Sequence, residues 1–95
     1  MAWRTTDDAN QDLSDIAVAG ALAFGVQQSR RYVQGIISAF DTLAAHPRMA
    51  PERQSQRRAV RLLPHEAHNI LYLIQGDDIV ILRVLHHLQD WFELL

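Results

Sequence analysis

The 95-residue chain contains no cysteine and no lysine, and it has only four glycines and three prolines. The absence of cysteine excludes disulfides, thiolate zinc sites and cysteine nucleophiles, and it is expected of a protein in a reducing cytoplasm. No apolar run approaches the roughly 20 residues that cross a bilayer, and the first residues do not resemble a signal peptide. These absences predict a cytoplasmic protein without a membrane partner.

All nine cations are arginines, and eleven acids give the chain a net charge of −2. A protein that binds nucleic acid mainly through phosphates needs an excess of positive charge, so direct sequence-specific nucleic-acid binding is not expected. The charges are unevenly placed, because four aspartates fall in residues 7–15 and five arginines in residues 48–61. The sequence therefore allows a local basic face on an acidic protein.

Helical spacing and turn residues divide the chain into a short strand, two helices and a strand-rich half. Residues 2–5 are predicted as an edge strand, and Thr6 is expected to cap a helix that ends at Gly25. A second helix stops before Pro47, and the two helices are expected to form an antiparallel hairpin. Residues 47–56, which contain two prolines, are predicted as a loop.

From residue 57 the apolar period changes to two, which predicts three antiparallel strands. The segment "QGDD" is expected to form the turn between the last two, because Gly76 can take positive φ. The fold class is therefore α+β: an N-terminal strand, a helical hairpin and a three-stranded antiparallel meander, with the helices packed on one face of the sheet. A chain of this length makes a single domain over residues 1–95.

The last predicted strand carries two alternating rows of side chains. One row consists of Val80, Leu82 and Val84, and the other of Ile79, Ile81, Arg83 and Leu85. The row without a charge is assigned to the helices, which leaves the row with Arg83 on an open face of the sheet. An uncovered apolar face indicates a partner.

The final strand also has residue types that could cleave RNA. That reaction needs a base, an acid and a cation for the developing phosphorane charge, which Glu52, His86 and either Arg83 or Arg61 could supply. In a regular strand, however, residues 83 and 86 point to opposite faces. We therefore predict no catalytic residue and interpret Arg83 as a contact of the fold or of a partner.

The histidines do not indicate a metal site. A structural zinc site needs four ligands at defined spacing. The candidate ligands are His65, His68, His86 and His87, and they do not have such spacing. No metal or cofactor is predicted.

Two further features admit either a structural or a binding interpretation. The arginine cluster is either solvated or a clamp for acidic partners, since arginine forks suit carboxylates. The tail is either docked on the core or a source of aromatic anchors for an interface. Its large apolar residues are Trp91, Phe92, Leu94 and Leu95.

Several ordered motifs resemble the ParE toxins of the RelE/ParE superfamily over nearly the full length. The most specific is "ILRVLHH", residues 81–87, followed by Asp90. The remaining motifs are Thr6, Ala9, Asp12-Leu13 and Ile16; Phe24-Gly25, Gln28, Tyr32, Phe40, Leu43-Ala44 and Pro47; and His68, Ile70 and Tyr72. The chain departs from the pattern at Ala19, Ser29, Ala50 and Leu73.

The resemblance implies a toxin held inactive in a hetero-oligomer by a ParD-like antitoxin that fills an apolar groove. The expected target is DNA gyrase, trapped on cleaved DNA, and the chain is then an inhibitor and not an enzyme. RelE-like members instead cut mRNA on the ribosome, which is the alternative function.

These expectations assign two sets of contact residues. The predicted antitoxin contacts are Arg53, Arg57, Arg58, Arg61, Tyr72, Ile79, Ile81 and Leu85. The predicted target contacts are Arg83, His86, His87, Trp91, Phe92, Leu94 and Leu95. Deleting residues 91–95 is expected to abolish toxicity while antitoxin binding survives.

Overall fold

The computed structural model describes all 95 residues, which form five strands and three helices. In chain order they are β1 (Ala2–Thr5), α1 (Asp7–Phe24), α2 (Val26–Ala45), β2 (Glu52–Gln54), β3 (Ala59–His65), β4 (His68–Gln75), β5 (Asp78–His86) and α3 (Trp91–Leu94). The predicted α+β class with a helical hairpin is confirmed. None of the three helices combines enough length and apolar character to cross a lipid bilayer.

The ends of the helical hairpin are determined by local chemistry. The Thr6 hydroxyl oxygen accepts the backbone N–H of Ala9 at 3.0 Å, so Thr6 is the N-cap that was predicted. Gly25 joins α1 to α2 with φ of 92°, a backbone conformation that side chains disfavour. The chain therefore reverses direction at Gly25 and places the two helices side by side.

The sheet has the strand order β1-β5-β4-β3-β2, with β1 parallel to β5 and the other pairs antiparallel. Strand β2 lies within the segment 47–56, which was predicted to be a loop, and that prediction is wrong for residues 52–54. The segment Glu52–Gln54 follows Pro51 and is wholly polar, so no alternation marks it as a strand. Its pairing with β3 creates the strand, and that partner is visible only in the tertiary structure.

Apolar side chains occupy both faces of the sheet, and the assignment of the β5 rows to these faces was wrong. Ile79 and Ile81 are fully buried on the helix side, in a cluster with Phe40. Val80 and Leu82 belong to a second cluster on the opposite face. Because both rows are aliphatic, the period of two identifies them as rows but cannot tell which one faces the helices.

A β-bulge interrupts the β5 rows. Tyr72 pairs with Ile81 while its neighbour Leu71 pairs with Arg83, so Leu82 is an extra residue in β5. A bulge shifts the alternation by one residue. Val84 therefore returns to the helix side, where it was predicted to lie.

The face away from the helices is closed by the end of the chain. Leu95 is 4% exposed and packs in the second cluster, and Trp91 packs against that cluster. Leu85, which is 1% exposed, lies beneath this cover. The predicted open apolar face is thus covered within the chain, which removes the argument that it must bind a partner.

Candidate functional site

Arg83 is held in an ion pair within the fold. Its Nε and Nη2 donate to the two carboxylate oxygens of Asp12, at 2.8 and 2.9 Å, and the backbone N–H of Val84 donates to the same carboxylate at 2.9 Å. These hydrogen bonds to Asp12 are the main reason that the pKa of Arg83 is raised above its ordinary value. The guanidinium links β5 to α1 and is not a free cation.

The residues that could have cleaved RNA are brought together only in part, since Arg61 Nη2 lies 3.9 Å from Glu52 Oε1 but neither is near His86. Glu52 lies on β2, three strands away from the β5 residues Arg83 and His86. At the usual spacing between strands that separation is about 14 Å. A general base must approach its proton to about 3 Å, so Glu52 cannot act together with β5.

Arg61 and Tyr72 hold the connection after α2. Arg61 Nη1 donates to the carbonyl of Ala50 at 2.6 Å, and the Tyr72 hydroxyl donates to the carbonyl of Pro47 at 2.9 Å. The Tyr72 side chain is fully buried, and that burial is the main cause of its raised pKa. Both residues were predicted to contact an antitoxin, but their polar atoms are occupied within the chain.

The other apolar members of the predicted antitoxin set are also inaccessible. Ile79 and Ile81 are 0% exposed and Leu85 is 1% exposed. A buried side chain offers no surface to a partner, so their prediction as antitoxin contacts is wrong for this structure. The error follows from the reversed face assignment and from the tail that covers Leu85.

Three predicted arginines remain exposed around the β2–β3 connection. Arg53 lies on β2, and Arg57 and Arg58 lie in the turn that follows. None of the three guanidinium groups forms an ion pair. These arginines are therefore available to an external anionic group.

The tail divides into covered and exposed residues. Leu95 is buried and Trp91 packs against the second apolar cluster, whereas Phe92 and Leu94 are 47% and 45% exposed. Asp90 caps the turn by accepting the N–H of Glu93 at 3.3 Å. Deleting residues 91–95 would therefore expose the second cluster, so it would disturb folding as well as any contact with a target.

Several exposed apolar side chains on the helical hairpin were not predicted from the sequence. Ala9 is the only buried residue of α1. Leu22 is 85% exposed, and Val18, Phe24 and Val26 are each more than half exposed. The signal available in the sequence was the spacing of Val18 and Leu22, which lie four residues apart and so share one helical face.

A groove of about 720 Å³ runs between this end of the hairpin and the β3–β4 turn. We call it the hairpin groove. Its lining is Asp15, Ile16, Ala19, Gly20, Ala23 and Phe24 from α1, Gln28, Ser29 and Tyr32 from α2, and Glu66, Ala67, His68 and His86 from the sheet end. One wall is thus apolar, and the opposite end is polar.

Histidines gather at the polar end of the hairpin groove. Tyr32 Oη and His68 Nδ1 share a hydrogen bond of 2.6 Å, and the His68 ring lies 5.5 Å from that of His86, which stacks on His87. Burial lowers the pKa of His68, and the nearby His86, His65 and His87 add to the effect, while Asp12 opposes it. His68 is therefore favoured in its neutral form.

No group of three or more histidines, acids or cysteines is arranged to hold a metal ion. Asp12, the acid that acts on the pKa of His68, is already hydrogen-bonded to Arg83.

Comparisons with known proteins agree with this architecture. A family model described as the ParE toxin of type II toxin-antitoxin system, parDE, matches residues 4–91. Toxin ParE3 of Caulobacter vibrioides is 34% identical over 61 residues, which cover 64% of this chain and 61% of that protein. A chain of the chromosomal ParDE TA system from P. aeruginosa has a TM-score of 0.79 and 25% identity, covering 90% of this chain and 95% of that one.

A helical hairpin packed on a small mixed sheet places the protein in the RelE/ParE superfamily. Because the family match extends over nearly the whole chain, the protein belongs to the ParE toxins of type II toxin–antitoxin systems. The aligned region spans about 61% of the length of Toxin ParE3.

Proposed function

We propose that the chain is the toxin of a ParDE-type pair and that a ParD-like antitoxin binds it in the hairpin groove. The observation that carries this proposal is the apolar wall of the groove, where the lining residue Phe24 is 70% exposed. Large contiguous apolar surfaces on small proteins usually mark binding sites. An amphipathic helix of the antitoxin could place its apolar side against α1 and its polar side near His68.

Paired substitutions test the site of antitoxin binding. Phe24→Ser is expected to weaken binding of a cognate ParD-like protein by at least about tenfold, because it removes an apolar side chain that lines the groove. Phe92→Ser is the matched control, since Phe92 is an exposed phenylalanine on the tail, outside the groove. Equal affinity of the two variants, measured by calorimetry, would remove the hairpin groove from the proposal.

We propose further that the toxin inhibits DNA gyrase by trapping its cleavage complex and does so without catalysing a reaction. Membership of the ParE family supports the target. Two features of the geometry support a non-enzymatic role: Arg83 is engaged by Asp12, and Glu52 lies three strands from β5. On this proposal the toxin acts by binding gyrase in a stoichiometric complex.

The direct experiment is a supercoiling assay with purified chain and gyrase, together with detergent-trapped cleavage complexes, with and without the antitoxin. Trapped cleavage that rises with toxin and disappears on adding antitoxin is the expected result. A chain that leaves gyrase unaffected at micromolar concentration would refute the target.

The alternative is a RelE-like, ribosome-dependent mRNA endonuclease. It predicts cleavage of mRNA on ribosomes by the wild-type chain and loss of cleavage in Arg83→Ala at a temperature where that variant is folded. The same preparation used for gyrase can be tested on translating ribosomes. Cleavage there would replace the gyrase proposal.

A further inference from the structure

The turn that carries Arg57 and Arg58 is fixed by a buried serine. Ser55 is 1% exposed, and its hydroxyl donates to the carbonyl of Arg58 at 2.7 Å and accepts the Arg58 N–H at 3.2 Å. The backbone N–H of Ser55 donates to the same carbonyl at 2.8 Å. A turn closed by three hydrogen bonds holds the backbone of its two arginines in place, so little backbone entropy is lost on binding.

The tail is attached to this turn. The backbone N–H of Gln56 donates to the carbonyl of Phe92 at 3.0 Å, which joins the residue before Arg57 to α3. The buried Leu95 and the packed Trp91 hold α3 against the sheet on either side of Phe92. The exposed side chains of the tail therefore stand beside the exposed arginines and not on a separate arm.

We infer that these residues form one docking surface for an acidic protein partner, which we call the arginine–tail surface and define as Arg53, Arg57, Arg58, Phe92 and Leu94. The arginines were predicted to contact an antitoxin and the tail residues a target, but the hydrogen bond from Gln56 to Phe92 joins their two segments. The inference rests on the proposed function, because it assigns this surface to the target and leaves the hairpin groove to the antitoxin.

The composition of the surface favours a protein over a nucleic acid. Phe92 and Leu94 keep nearly half of their area exposed, and an aromatic anchor flanked by arginines is typical of interface hot spots. The arginines are unpaired, and their planar groups suit carboxylates. The tail also carries Asp90 and Glu93, which disfavour the uniformly anionic backbone of a duplex, whereas the surface of a protein partner carries cations beside its acids.

The arginine–tail surface lies far from the hairpin groove. The β2–β3 turn adjoins the start of β3, and the groove residues Glu66, Ala67 and His68 adjoin its end. A strand of seven residues spans about 20 Å. A change at one site can therefore be made without touching the other.

The chain offers matched substitutions for a test. Arg57→Glu with Arg58→Glu reverses two adjacent exposed charges, and Arg30→Glu with Arg31→Glu makes the same change on α2. Phe92→Ser removes the aromatic anchor but keeps Trp91 and Leu95. Binding to purified DNA gyrase holoenzyme is measured by interferometry, growth arrest is measured on expression, and thermal melts confirm that each variant is folded.

Arg57→Glu with Arg58→Glu and Phe92→Ser should each weaken gyrase binding at least about tenfold and relieve growth arrest, while the α2 pair stays within about twofold of wild type. Wild-type affinity in both test variants overturns the inference, and so does an equal loss in the α2 control. Loss of binding to a bare DNA duplex by the arginine variant alone would instead assign the surface to phosphate.

The experiment distinguishes failure of the proposed function from failure of the arginine–tail surface. A wild-type chain that arrests growth without binding gyrase refutes only the target. The surface then stands if the test variants relieve that arrest, and it falls if they do not. A wild-type chain that neither arrests growth nor binds gyrase removes the toxin proposal and the surface assigned to its target together.

Discussion

The ion pair between Arg83 and Asp12 decides whether the best-matched motif of the sequence serves the fold or a reaction. The side chains of Arg83 and Asp12 are 23% and 11% exposed, so the pair is largely shielded from water. It connects residues 71 positions apart and ties α1 to β5. Replacing either partner by alanine should therefore reduce the free energy of unfolding.

The size of the effect follows from what each substitution leaves behind. Removing one partner of a buried pair costs about 3–5 kcal/mol, and partial exposure of Arg83 reduces this. We expect a loss of about 2 kcal/mol for Arg83→Ala, because the Asp12 carboxylate still accepts a hydrogen bond from the Val84 N–H. Asp12→Ala should lower the free energy of unfolding by about 3 kcal/mol, because it leaves both the Arg83 guanidinium and the Val84 N–H without a hydrogen-bond partner.

Urea unfolding and thermal melts measure these losses. For a domain of this size, about 2 and 3 kcal/mol correspond to Tm decreases of about 8–16 °C and 12–24 °C. The variant with both Asp12→Ala and Arg83→Ala should lose less stability than the sum of the two single losses, because the two residues share one interaction. Arg4→Ala is the control, since its 3.4 Å bond to Asp78 joins half-exposed groups, and it should cost less than about 1 kcal/mol. An Arg83→Ala chain with unchanged Tm and no toxicity would refute the structural role.

Three further predictions concern the groove, the tail and the hairpin. The folded pKa of His68 lies below 6.5, so the free energy of unfolding should be fully retained above about pH 6.5 and fall as the pH drops below it. Melts across this range should show a weaker pH dependence in His68→Gln than in the wild-type chain. Leu95→Ala should lower stability by about 2 kcal/mol in urea unfolding, since Leu95 is 4% exposed. Gly20→Ala should lower the Tm although alanine favours helices, because its Cβ would lie 2.9 Å from the buried Ser29 hydroxyl; a higher Tm would show that the helices separate without cost.

The helical half of the protein was predictable because its signals are local. The Thr6 cap is made within three residues of the chain, and Gly25 reverses the direction of the chain through its own φ. The β3–β5 meander was predictable for the same reason, since alternation and a turn glycine act between neighbouring residues. The motifs from Thr6 to Asp90 likewise depend on order and spacing along the chain.

The contact surfaces were predictable only in part. The exposed Arg57, Arg58 and Phe92 carry their signal as charge and apolarity in the sequence itself. Ile79 and Ile81 were assigned to an interface because a strand with two aliphatic rows does not reveal which row the helices cover. The exposed end of the hairpin was missed because helical spacing identifies a buried stripe and does not show where the sheet beneath it ends.

The sequence by itself thus determined the order of the elements, the ends of the helical hairpin and the ParE motifs, since each depends on residues close together in the chain. Only the tertiary structure decided which row of β5 faces the helices, that Asp12 engages Arg83, and that Gln56 joins the tail. These outcomes depend on pairs separated by tens of residues, such as the 71 between Asp12 and Arg83. Their partners are selected by packing the whole sheet, which no local pattern encodes.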